Sequence, residues 1–341
     1  MRQLTCTGPG IVEWCEVAEP ELTAPTDALV RPVAVARCDI DPYLIAAGPT
    51  RADRFALGHE AVVRVLAVGQ DVHRVDVGAL PLPSFWMSCG SCEQCRRAKP
   101  ALCTSYPILS SYGMEPLSGV EYGGMLSDVV RVPHADSMLT PMPAELDPVA
   151  VASVPDNVVD GYRLVAPHLA RRPGADVVIV AHGGRSIVLY AAQTAVALGA
   201  ASVTVASDDE GVLGLAERVG AHPLRVAFTE RPSTTWPLVV DCGTDQAGLQ
   251  WSIRATEPEG ILQFMGTMET AVPINLMRLY TLGIELHLGR AHSAALVPDV
   301  VALVAGGQLH PEVVTTDVID WEDAPARFLD PSVKLIVERS S

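Results

Sequence analysis

The sequence predicts an α/β protein in two parts, an irregular antiparallel β-barrel and a doubly wound parallel sheet. Three observations predict it. Up to about residue 150 the apolar runs are short and broken by Gly and Pro, as in ALVRPVAVA, EAVVRVLAVG and SDVVRVP, a texture that suits irregular antiparallel strands. From Pro173 onward, short apolar runs alternate with stretches of helical spacing, which is the rhythm of βαβ crossovers. The length of 341 residues is enough for two hydrophobic cores.

In the second part DVVIVA reads as a buried strand, SIVLYAAQTAVALGA as a helix and ASVTVAS as the next strand. GVLGLAERVGA (helix), PLVVDCG (strand), AGLQWSIRAT (helix) and GILQFMG (strand) continue the alternation. The apolar window 187–206 is nearly long enough to cross a bilayer, but Gln193, Thr194 and Gly199 interrupt it and it divides into a helix and a strand. The closing DAPARFLDPSVKLIVE reads as a short helix and a strand that returns to the first part. The expected boundaries are 1–152 with 291–341 for the barrel part, including a lobe at 86–105, and 153–290 for the parallel sheet.

A formal net charge of −16, spread without runs, argues against nucleic acid or an anionic membrane as partner, since both need basic surface. MRQLTCTGPG lacks a basic flank followed by an apolar core, so no secretory signal is expected and the protein is placed in the cytoplasm. The eight cysteines would then stay reduced, and clustered thiolates point to metal. Four fall in CGSCEQCRRAKPALC: Cys89, Cys92, Cys95 and Cys103, spaced C-x2-C-x2-C-x7-C. Four thiolates around tetrahedral Zn²⁺ make a closed site that shapes a loop and offers no position to substrate. An iron–sulfur cluster also takes four cysteines; zinc is the preferred reading.

With this spacing, VRPVAVARCDID, LGHEAVVRVLAVGQDV, EYGGMLSDVVRVP and DAPARF occur in order along the chain. Together they resemble the zinc-dependent alcohol dehydrogenase family of the medium-chain dehydrogenase/reductase superfamily, over nearly the whole length. The resemblance implies a GroES-like catalytic barrel, a Rossmann-like cofactor domain and two zinc ions per chain. It implies that Cys38 and His59 are catalytic zinc ligands, and an alignment through DGYR puts Asp156 at the third ligand position. Taken alone, a buried Cys is commonly a small hydrophobe, a lone His a satisfied core residue and an Asp a helix cap. Glu60 resembles the family's carboxylate behind the metal, and Asp41 an aspartate that supports a ligand. Ile40 stands where the family often has a hydroxyl that relays the alcohol proton, leaving Tyr43, Asp39 or water for that task. Phe85 matches a substrate-lining position.

A dinucleotide loop follows VVIVA as His182-Gly183-Gly184-Arg185-Ser186. Gly183 and Gly184 suit a tight turn, and backbone N–H groups at a helix start attract phosphate, but Val188 stands where the usual fingerprint has its last glycine. Arg185 can pair with phosphate or block the loop. The second strand of the resembled fold ends near an acid that binds the ribose of NAD; here Ser207 and Asp208 fall at that point, followed by Asp209 and Glu210. Three carboxylates with no base nearby in sequence favour NAD over NADP, although an acid-rich helix start explains them as well.

The expected activity is hydride transfer between an alcohol or carbonyl substrate and a nicotinamide cofactor, with zinc as Lewis acid and Cys38, His59, Asp156 and Glu60 at the reacting centre. A non-redox lyase or cyclase using zinc and nucleotide on the same fold is one alternative; a non-catalytic zinc-stabilised binding protein is another. The resemblance also implies a homodimer or homotetramer, with ILQFMG and GIELHLG a plausible shared-sheet edge.

Overall fold

The computed structural model describes residues 1–114, 117, 120, 122–266 and 271–340. Glu121, the first residue of EYGGMLSDVVRVP, lies outside the described residues. The chain divides into two compact units, one of residues 1–159, 292–307 and 315–341, the other of residues 160–291 and 308–314.

In the first unit the central strand is Ala28–Ala36, flanked by Leu335–Glu338 on one side and Glu60–Val68 on the other, with Val130–Val132 pairing its first residues. These pairings are antiparallel; Asp317–Asp320 adds a parallel edge to Leu335–Glu338. A hairpin of Arg2–Gly8 and Ile11–Glu16, extended by Phe55–Ala56, forms a second sheet. Pro32 donates no ladder bond, and the register to Glu60–Val68 shifts between Pro32 and Ala34, where a bulge tolerates it. The strand ends in three fully buried residues, Ala34, Val35 and Ala36. Ala34 and Ala36 pack with Ala152 and Ile336, while Val35 joins the larger core with Leu4, Phe55 and Phe328. Small side chains on one face and a branched one on the other let elements close on both sides just before Cys38.

The second unit is built on a six-stranded sheet in the order His222–Arg225, Val203–Ser207, Val177–Ala181, Trp236–Asp241, Thr256–Phe264, Glu285–Leu288. Every pairing is parallel. Val177–Ala181 is buried at all five positions, as a strand covered on both faces requires. The chain runs outward on one side of that strand and then restarts on its other side, so the ends of Val177–Ala181 and Trp236–Asp241 form a topological switch point, where such sheets bind ligands. Segment 308–314 belongs to this unit, whereas the sequence reading assigned everything after 291 to the barrel. Gln193 ties the segment there, donating to His310 O at 3.0 Å and accepting from His310 N at 2.8 Å, and Leu309 and Val314 are buried. His222–Arg225 is a strand that the predicted alternation does not include; it contains Pro223 and sits at the sheet's edge, where proline is tolerated. Among the described residues no helix is long and apolar enough to cross a membrane.

Candidate active site

Two donor clusters lie in the first unit. In the lobe, the ligand atoms of Cys89, Cys92, Cys95 and Cys103 all lie within 4.8 Å of one another. Cys92 Sγ is 3.8 Å from Cys103 Sγ, close to the roughly 3.8 Å edge of a tetrahedron of sulfurs about 2.3 Å from one Zn²⁺. An iron–sulfur cluster interposes several irons and spreads its thiolates wider. The local fold supplies donors to the sulfurs: Cys92 N reaches Cys89 Sγ at 3.3 Å and Cys89 N reaches Cys103 Sγ at 3.4 Å. Backbone N–H groups of Cys95 and Thr104 hold the Cys92 thiol down at about 5. All four side chains fit a closed zinc site.

The second cluster is buried and assembled from distant segments. Cys38, His59, Glu60 and Asp156 bring their ligand atoms within 4.8 Å of one another. Cys38 leaves the end of the Ala28–Ala36 strand, and its backbone N–H donates to Asp41 Oδ2 at 2.9 Å. His59 and Glu60 open the neighbouring strand Glu60–Val68 after Gly58, whose φ is +88° and whose hypothetical Cβ would meet Leu126 N at 3.0 Å and Val35 Cγ1 at 3.1 Å. Only glycine fits both constraints. Asp156 lies in a π-helical turn, Val154–Val158, that precedes the helix Val159–Arg171. Its carboxylate does not cap a helix; Oδ2 accepts from Cys38 Sγ at 3.2 Å and from Asn157 Nδ2 at 3.1 Å.

His59 carries the test of whether a metal fits. Its ring is fully buried and, among the described residues, neither nitrogen makes a hydrogen bond, nor does Asp41 Oδ1. Nε2 stands 3.3 Å from Asp156 Oδ2 and Nδ1 stands 3.5 Å from Asp41 Oδ1. An ion on Nε2, with Nδ1–H turned to Asp41, accounts for all three orphan atoms. Thiolate, imidazole and carboxylate are donors that Zn²⁺ accepts in a tetrahedral set. The cluster fits the ion.

Burial opposes charge on His59, but Asp41, Asp156 and Glu60 together outweigh it and lift the imidazole to about 9. Burial, then the charges of Asp156, Glu60 and Asp41, push the Cys38 thiol up. Burial raises Asp41, with His59 pulling it back. Burial also acts upward on Asp156, but His59 and Cys38 outweigh it and the carboxyl is held below its ordinary range. Burial pushes Glu60 up to about 8 against the pull of Lys334.

Sequence reasoning missed Lys334, Asn157 and Arg37. Lys334 is fully buried; its Nζ donates to both Glu60 oxygens at 3.0 Å, to Asn157 Oδ1 at 2.7 Å and to Arg37 O at 2.9 Å. The signal was a lysine entering the apolar strand of SVKLIVE, which reads just as easily as an edge charge. The Phe85 ring lies 5.7 Å from that of His59, and Phe85 is buried. Ile40 packs against the barrel core, and Tyr43 is half exposed.

In the second unit the predicted cofactor residues gather at the switch point. Gly183 has φ +94°, and a Cβ there would lie 2.3 Å from Thr244 Oγ1, so this glycine serves the packing of the two loops. His182 Nδ1 pairs with Asp245 at 2.7 Å and its Nε2 stands 3.6 Å from Asp208. The helix Ser186–Ala197 follows the glycines directly, with no side-chain cap at Arg185. Arg185 Nε reaches Asp209 Oδ2 at 3.0 Å. Ser207 is buried; its hydroxyl donates to Ala181 O and accepts from Asp209 N, both at 3.0 Å, so it holds the turn, while Asp208 is exposed beside it. The acids do have bases in space: Arg225 pairs with Glu210 and lies in register with Ser207. Asp241, at the end of its strand, is fully buried; Oδ1 accepts from Gly243 N at 2.7 Å, and the Ser252 hydroxyl also faces the carboxyl. Burial outweighs the Gly243 N–H and raises its carboxyl to about 6.

Comparison with known proteins agrees with this chemistry. Residues 24–144 match the alcohol dehydrogenase GroES-like domain. A Mycobacterium tuberculosis protein described as a "probable zinc-binding alcohol dehydrogenase" is 25% identical over 331 residues, covering 95% of this chain and 83% of its own. Sorbitol dehydrogenase of Bacillus subtilis is 26% identical over 322 residues, 89% of this chain and 86% of its own. An alcohol dehydrogenase from Thermus sp. ATN1 superposes with a TM-score of 0.88 at 25% identity, with both chains fully covered. Over nearly its whole length the chain is similar to zinc-dependent alcohol dehydrogenases of the medium-chain dehydrogenase/reductase superfamily, and residues 24–144 match their GroES-like domain.

Proposed function

We propose that Cys38, His59 and Asp156 hold a Zn²⁺ ion at which this zinc-dependent oxidoreductase interconverts a small alcohol and its carbonyl, with NAD as the preferred partner in hydride transfer. The observation that carries the ligand assignment is the buried His59 ring with neither nitrogen hydrogen-bonded, set between Asp41 and the donors Cys38 and Asp156.

When bound, zinc supplies Lewis acidity that polarises a carbonyl or eases ionisation of an alcohol. Three protein donors leave a position for the substrate oxygen. Asp41 orients the imidazole, because it accepts from Cys38 N through one oxygen and faces His59 Nδ1 with the other. Phe85 lies against the imidazole and supplies an apolar wall. Ile40 offers no hydroxyl, so proton movement falls to Asp39, Tyr43 or water. The helix Ser186–Ala197 presents its start to the dinucleotide phosphates. The preference for NAD is supported by charge: Asp208, Asp209 and Glu210 outnumber Arg185 and Arg225, and each arginine is paired with an acid, so a 2′-phosphate would meet net negative charge. No observation among the described residues favours a non-redox or a non-catalytic role.

Metal counting together with nucleotide titration on wild type and His59→Ala tests this reading. Wild type should hold two zinc ions per chain and bind NAD more tightly than NADP; His59→Ala should lose one ion and its turnover while keeping NAD. Unchanged metal content in an active His59→Ala enzyme would refute the ligand assignment, and tighter binding of NADP would refute the cofactor preference.

A further inference from the structure

The buried cluster offers one donor more than an open zinc site uses. Glu60 has a carboxylate oxygen within 4.8 Å of the ligand atoms of Cys38, His59 and Asp156, and four protein donors would make a closed, structural type of site. We propose that Lys334 is a positioning residue that keeps Glu60 off the metal and so preserves the position the substrate needs. The assignment rests on the ligand set proposed above.

The geometry suits that task. A buried carboxylate that stays ionised favours a nearby cation, since an unpaired charge there costs several kcal/mol. Two cations compete for Glu60: the ion bound by its neighbours and the Lys334 ammonium. Lys334 engages both carboxylate oxygens at 3.0 Å, so neither is left outside its grip. The ammonium is itself fixed, by Arg37 O at 2.9 Å and Asn157 Oδ1 at 2.7 Å. Asn157 then extends the same restraint to the donors, because its Nδ2 reaches Cys38 Sγ and Asp156 Oδ2, each at 3.1 Å. The π-helical turn Val154–Val158 makes this possible by turning two successive residues, Asp156 and Asn157, to one cluster.

The approach of Lys334 is also secured. The Arg37 guanidinium donates to Asp330 O at 2.8 Å and to Ser332 Oγ at 2.6 Å, and Arg37 N donates to Leu335 O at 2.9 Å. The residue before Cys38 thus holds both sides of the residue that restrains Glu60. A purely structural counter-ion would need only to neutralise the carboxylate. Lys334 neutralises it and fixes its place.

The test uses the full-length enzyme with cobalt(II) in place of zinc and azide as the probe for an open position. Wild type should hold two ions per chain and change its visible spectrum on adding azide. Lys334→Met should still hold two ions, respond to azide about tenfold more weakly or not at all, and, as the zinc enzyme, turn over about 100-fold more slowly or worse, because Glu60 now occupies the position. Lys334→Met/Glu60→Gln, which removes both buried charges, should recover the azide response, as should Lys334→Arg. The double variant and Lys334→Arg keep the question answerable if Lys334→Met does not fold. Lys334→Met with two ions and an undiminished azide response overturns the proposal, as does loss of the second ion in Lys334→Met, or a double variant that folds with both ions yet ignores azide. A wild type holding a single ion would instead bring down the ligand assignment itself, which separates the two failures.

Discussion

The lobe thiols come from one short loop, three of them partly exposed and Cys103 buried, whereas the donors at residues 38, 59, 60 and 156 come from distant segments and are all buried. The loop satisfies its own sulfurs with nearby backbone N–H groups. The buried set cannot. Its donors are supported by Asp41, Asn157, Arg37 and Lys334, charged or polar groups that are themselves buried. A site that only holds an ion can be written locally, because saturating the ion with four like donors ends its requirements. A site that must keep one position vacant needs groups that orient some donors and restrain another, and those arrive from wherever the fold brings them.

The contrast can be broken first at the lobe. Cys103→Ser should remove the lobe ion and lower stability by about 4 kcal/mol or more, as loss of a structural metal does, while the buried site keeps its ion. Metal counts and urea midpoints on the same preparation read both; simultaneous loss of both ions would show that the clusters are not independent. A smaller effect is expected at Asp41→Asn. The amide can still accept from Cys38 N but no longer presents a carboxylate to His59 Nδ1, so zinc affinity of the buried site should fall about 10–100-fold. Chelator competition measures it, and an unchanged affinity would remove Asp41 from the support of His59.

A third buried carboxylate calibrates what Lys334 does for Glu60. Asp241 is as fully buried, yet it has a backbone N–H in place of an ammonium. Its carboxyl is raised from 3.8 to about 6, so the folded state keeps a proton that the unfolded state has lost. Stability is then lost as pH rises from about 4 through about 6, and above that a cost of up to about 3 kcal/mol persists. Asp241→Asn should be nearly neutral at pH 4 and stabilising at pH 7.5. Equal urea midpoints for variant and wild type across that range would show that Asp241 ionises without penalty.

Much of this was legible in the letters. Parallel strands buried on both faces leave continuous apolar runs, so DVVIVA and PLVVDCG announced themselves, and a four-cysteine loop states its chemistry in its spacing. Edge strands such as His222–Arg225 lack that run because only one side is paired. The ligand candidates Cys38, His59 and Asp156 came from resemblance, and they converge. Lys334 could not be found that way of reading: a lysine at the head of an apolar strand is buried only because Arg37 and Glu60 await it, and nothing local encodes either. Arg185 stood out in the glycine loop, but that it and Arg225 lie beside the acid run at 208–210 was hidden for the same reason, Arg225 belonging to a neighbouring strand and Arg185 to the preceding loop.

Arg37 holds the turn before Lys334 largely through carbonyl oxygens, those of Phe328, Asp330 and Ser332. Such oxygens are common to every amino acid. Apart from Ser332, whose hydroxyl also accepts from Arg37, the side chains along that turn can therefore change while the route of the chain stays pinned, and a catalogue of invariant letters would pass over most of a segment on which delivery of the ammonium depends.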